Sequence, residues 1–174
     1  MKIAFFSDTK RIKKVVIGLI LFITFFPILK DYLVNLNDNV YIVLEINRAL
    51  RESKIDNRFS IFILGHTTHI KTIEDYAPPS GASPMTVSSF VSSLSSNQAG
   101  HLKEFCDCLP ESEDLHPSIA IQNALLDIPP LIKKDKILKE YVIKKQPYSC
   151  TTFVHIIIYD DYHSIYFADY YIPF

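Results

Sequence analysis

The chain has 174 residues, 48% hydrophobic and 21% charged, which excludes a disordered or fibrous protein and allows one ordinary domain. Its 4 glycines argue against phosphate-cradling glycine loops and against a turn-dense β-sandwich. The net charge of -1 conceals an asymmetry: Lys2, Lys10, Arg11, Lys13, Lys14 and Lys30 against Asp8 give residues 1–30 a charge of +5, leaving -6 for residues 31–174. An acidic region repels phosphate backbones, so nucleic acid is not an expected partner, whereas a basic protein is.

Val15 to Leu29 is a run without charge. As a helix it reaches about 22 Å at 1.5 Å per residue, short of the roughly 30 Å hydrocarbon core. Extension through Lys30 and Asp31 to Val34 supplies the missing length, with Lys30 snorkelling and Tyr32 at headgroup level. A cleaved signal peptide needs small residues after the apolar run, and after Thr24 the next is Ala49. A buried core helix is the other alternative, and the basic cluster Lys10–Lys14 argues against it. The expected organisation is a basic cytoplasmic tail (1–14), a transmembrane anchor (15–34) and an extracytoplasmic domain (35–174) in the inner, plasma membrane.

Asn35 to Asn39 reads as a turn or cap segment. Val40 to Ser53 is rich in β-formers, yet Val40, Val43, Leu44, Asn47 and Leu50 keep helical spacing, which favours a helix. Arg58 to Ile70 is the best strand, with Phe59, Ile61 and Ile63 on one face and Phe62 and Leu64 on the other. Tyr76 to Pro84 reads as a loop.

Ser83-Pro84 reads as a helix cap followed by proline, with Val87, Phe90, Val91 and Leu94 as the apolar face of a helix ending near Asn97–Gly100. Further helices are expected over Pro117–Leu126, closed by Pro129-Pro130, and over Leu131–Lys145. Cys150–Tyr159 and His163–Ile172, split by Asp160-Asp161, predict a C-terminal β-hairpin. In it Tyr166, Tyr170 and Ile172 share one face, opposite Ile165 and Phe167. The fold class is therefore α+β: an anchor helix, then a mixed sheet of three or four strands with covering helices.

Candidate chemistry is sparse. His66-Thr-Thr-His69 has the spacing of a metal pair on a helix, but in a strand residues three apart point to opposite faces. Cys106, Cys108 and Cys150 are the only cysteines. Cys150 bonded to Cys106 or Cys108 would close a loop of about 43 residues, contributing roughly 3–4 kcal/mol in the chain-entropy model. Three unpaired thiols, or redox chemistry at Cys106-Asp-Cys108, are the other readings.

Eight acids against Lys103 lie between Thr72 and Ile132, followed by Lys133, Lys134, Lys136, Lys139, Lys144 and Lys145. These read as solvated faces, or as docking surfaces for a basic partner and for anionic lipid. Gly-x-Ser-x-Gly, Gly-x-Gly-x-x-Gly, Walker and His-Glu-x-x-His patterns are absent from the sequence, so no cofactor is expected. A triad of His155 or His163 with an aspartate would leave no sequence signature.

The expectation is a membrane-anchored interaction module, such as an immunity protein or an envelope-complex accessory subunit. A membrane-anchored hydrolase using His66 or His69 is the alternative, and a purely structural tether the third.

Overall fold

The computed structural model describes residues 4–77, 84–110, 115, 125, 128–145 and 152–171, with side chains from Lys13 onward. The chain divides into two compact units, residues 1–37 and 38–174.

Helix α1 runs without a break over Ala4–Glu52 and includes Pro27. Every residue from Lys13 to Val34 is exposed, including Leu21, Phe22, Phe25 and Phe26. Among the described residues it is the one helix long and apolar enough to cross a membrane.

The expected turn at Asn35–Asn39 does not form, because the helix passes straight through it. Asn and Asp favour turns by offering the backbone local hydrogen bonds, and here tertiary bonds take the Asn39 side chain instead. Asn39 is buried, donating to the Gly65 carbonyl at 3.3 Å and accepting from the Thr67 hydroxyl. The helix expected at Val40–Ser53 is present, but its inward face is Asn39, Ile42, Ile46, Ala49 and Leu50. Val40 and Leu44 are exposed.

The end of α1 is a Schellman closure. Ile55 N–H bonds the Leu50 carbonyl at 2.9 Å, and Lys54 N–H bonds Arg51 at 3.0 Å, with Lys54 at φ 56°.

The strand expected over Arg58–Ile70 breaks into two elements. Ile61–Ile63 is a 3-10 turn, and β1 begins only at His66, running to Tyr76. Asn47 clamps the incoming chain by accepting from Phe59 N–H at 2.9 Å and donating to Phe59 O at 2.8 Å. Gly65 then passes so close to β2 that a Cβ there would lie 1.9 Å from the Ser93 carbonyl oxygen.

The helix expected at residues 83–100 is instead strand β2, Met85–Ser93, followed by α2, Ser96–Cys108. Gln98 fixes the start of α2, accepting from Ser95 N–H at 2.9 Å and donating to Leu64 O at 2.7 Å. The helix expected over Leu131–Lys145 is also corrected: Lys134–Lys136 is a 3-10 turn and β3 spans Ile137–Lys144. The Pro117–Leu126 helix, most of the Tyr76–Pro84 loop, Cys150 and Ile172 lie outside the described residues apart from Leu125 and the ends of the loop.

The terminal hairpin is present as β4, Phe153–Tyr159, and β5, Ser164–Tyr171. All the described strands join one antiparallel five-stranded sheet, ordered β1-β2-β5-β4-β3, rather than a mixed sheet of three or four. One sheet face, with Phe90, Ile143, Ile156, Ile165 and Phe167, packs in a core with Ile42, Ile46 and Leu50 of α1 and Leu102 and Phe105 of α2. The other carries Met85, Val87, Phe153, Ile157, Tyr166 and Tyr170, packed with Ile132. The expected alternation along β5 is thus seen at Ile165/Phe167 against Tyr166/Tyr170.

Candidate functional site

A helix laid on a sheet normally seals it with apolar side chains, so a charged group in that layer has to find its partners there. On β5, positions 165, 167 and 169 share the face that meets α1, and the third of them is Asp169, 1% exposed. Lys145, the residue after β3, reaches it across β4, which lies between the two strands. The lysine main chain is fixed by its N–H bond to Thr152 O at 2.8 Å.

Two side chains from α1 complete the cluster. Glu45 Oε2 lies 3.1 Å from Lys145 Nζ, and the Tyr41 hydroxyl donates to Asp169. Lys145 Nζ also sits 5.5 Å from the Tyr171 ring centroid.

Electrostatics follow from burial. Loss of hydration raises the Asp169 carboxyl above its ordinary range, against the lowering effects of Lys145 and Tyr41. Burial, reinforced by the Asp169 charge, raises the Tyr41 hydroxyl, so it remains a proton donor. The Thr152 hydroxyl, buried on the strand position opposite Lys145, has no hydrogen-bond partner among the described residues.

Of these residues only Lys145 was singled out from sequence, in the lysine run read as a solvated or lipid-docking face, and it is instead buried. The available signal was Asp169 itself, a carboxylate at an inward position of Ile165-Tyr-Phe-Ala-Asp-Tyr-Tyr.

A second polar pair lies on the opposite sheet face. His155, 1% exposed, has Nε2 2.8 Å from Glu140 Oε1, while its Nδ1 has no partner among the described residues. Tyr166 stands edge-on to the imidazole at 5.9 Å. His163 is in the β4–β5 turn, with Nδ1 3.0 Å from Asp161 O.

The sequence-derived candidates are placed as follows. His66 pairs with Ser93 and His69 with Phe90 in an unbroken stretch of register, so the two histidines face opposite sides of β1. His69 lies beside Phe90, ring centroids 4.9 Å apart and planes tilted by 45°, and its Nε2 lies 3.0 Å from Thr72 Oγ1. The strand does not bring the pair together. Cys106 is buried on α2, its thiol hydrogen-bonded to Tyr141 and pushed up to about 12 by burial, while Cys108 is exposed.

A groove of about 590 Å³ surrounds the end of α1. Its rim carries Arg51, Lys54 and Arg58 against Asp56. Asn57, also lining it, is pinned through its Nδ2 to Cys108 O at 2.7 Å, and Phe62 stands 78% exposed on an adjoining hollow.

No family model, curated protein or solved structure matches this chain.

Proposed function

We propose that the protein is a single-pass, membrane-held interaction module whose sheet domain lies outside the cytoplasm. One observation carries this reading: from Val15 to Val34 nearly every side chain is apolar and all are exposed around the helix. A helix apolar on all sides needs either a protein core or lipid around it, and among the described residues these side chains are exposed. Lys13 and Lys14 precede the run, and the positive-inside rule keeps that end cytoplasmic.

The partner in this reading is a protein. The -6 charge of residues 31–174 favours a basic partner at long range, while the groove offers Arg51, Lys54 and Arg58 to a local acidic side chain.

The test uses the full chain in native membranes. Wild type should resist alkaline carbonate extraction and yield only to detergent. Leu21→Arg with Phe25→Arg, at about 2.5–3.5 kcal/mol per mid-membrane arginine, should shift it into the wash. In oriented vesicles, protease should digest the sheet domain from the non-cytoplasmic side only. Crosslinking before detergent extraction should then recover one enriched protein. Carbonate-soluble wild type, or digestion from the cytoplasmic side, refutes the reading.

A further inference from the structure

Lys145 Nζ touches two carboxylates inside the domain, those of Asp169 and Glu45, and the three side chains are only 4%, 2% and 17% exposed. An amine and a carboxyl held in contact away from water are the two reactants of an amide. We propose that the folded chain joins Lys145 and Asp169 by an intramolecular isopeptide bond, with Glu45 carrying the proton.

Three physical effects favour the reaction. Fixed contact between reacting groups replaces a bimolecular encounter with an effective molarity on the order of 10⁵–10⁸ M. Burial disfavours charge, so transfer of a proton from the Lys145 ammonium to the Asp169 carboxylate, giving amine and acid, costs less than in water. The raised Asp169 carboxyl is in keeping with that transfer. Tyr41 donates to the carboxyl group that is attacked, where negative charge develops on oxygen.

The atoms balance without any other reagent. The Lys145 nitrogen lone pair attacks Asp169 Cγ, and the new C–N bond gives a tetrahedral centre. Glu45 Oε2, 3.1 Å from Nζ, takes a proton from nitrogen and delivers it to the departing hydroxyl. The C–O bond breaks, water leaves, and Glu45 is again a carboxylate. Nothing is oxidised or reduced.

The product ties the residue after β3 to β5 over the top of β4.

The experiment is mass spectrometry of the full-length protein in detergent, with circular dichroism to establish that it is folded. Wild type should weigh one water less than its sequence requires. Its protease digest should contain a branched peptide joining the Lys145 and Asp169 segments, which an aspartate-derived succinimide would not give. Lys145→Arg should have the full mass, and Glu45→Gln should show at least a tenfold slower gain of the branched peptide after refolding. Folded wild type with full mass and only linear peptides overturns the proposal. Unchanged bond formation in Glu45→Gln overturns the role given to Glu45.

Discussion

The Tyr41 hydroxyl donates to Asp169 across 128 positions of sequence, so one hydrogen bond ties α1 to the centre of the sheet. Removing it with Tyr41→Phe leaves a buried oxygen short of a donor, whether that oxygen belongs to an acid or an amide. The expected cost is about 1–3 kcal/mol, read as a lower urea midpoint with an unchanged slope. A midpoint equal to wild type would show that the bond contributes nothing.

Gly65→Ala should be among the most damaging small substitutions. The added carbon would lie 1.9 Å from the Ser93 carbonyl oxygen, which is backbone of β2 and has no rotamer to adopt. The start of β1 has to move off its neighbour, at roughly 1–3 kcal/mol or more. Hydrogen exchange should locate the loss in the β1–β2 pairing first.

Lys54→Gly should have the opposite sign. Lys54 closes α1 at φ 56°, a conformation that costs a side-chain-bearing residue about 1–2 kcal/mol and glycine little. Part of that gain is lost to greater chain freedom when unfolded, so a rise of about 0.5–1 kcal/mol is expected by denaturant titration.

The cysteines should separate by reactivity. Iodoacetamide at pH 8 should modify exposed Cys108 and spare Cys106 until the protein is unfolded. A thiol released only by reductant would reveal Cys150 in a disulfide. Burial moves Cys106 from 9.0 to about 12 and Tyr166 from 10.0 to about 12. Both raised groups contribute stability that is full below 9.0 and is lost as pH climbs towards 12. Melting temperature should fall over that window, less steeply in Cys106→Ala.

The terminal hairpin was legible in the sequence because two apolar runs flank Asp160-Asp161, and the turn uses those aspartates at φ 55° and 51°. The exposed apolar helix was legible from its uncharged run. Strand β2 was not, because Val87, Phe90, Val91 and Leu94 satisfy a helical period and a two-sided strand equally well. What settles it is tertiary: Ser88, Ser89 and Ser92 are buried rather than outward-facing, with Ser92 Oγ 2.6 Å from Thr67 Oγ1.

The lysines of β3 misled for a related reason. Lys139 and Lys144 read as a solvated helix face, yet charge on an outer strand also protects a sheet from further pairing. The Lys145–Asp169–Glu45 cluster was hidden because its members come from three separated segments.

The strand order has a consequence for synthesis. By the time residue 152 is made, β1, β2 and β3 exist, but the two strands that lie between β2 and β3 do not. The sheet cannot grow outward from an early nucleus; the last hairpin must enter a gap and pair on both sides, with β2 and with β3. The apolar helix is meanwhile made before any of the described strands. In the membrane-held reading proposed above, the chain would be committed to its membrane well before its sheet can close, and folding would be completed by a segment arriving at an already tethered partner.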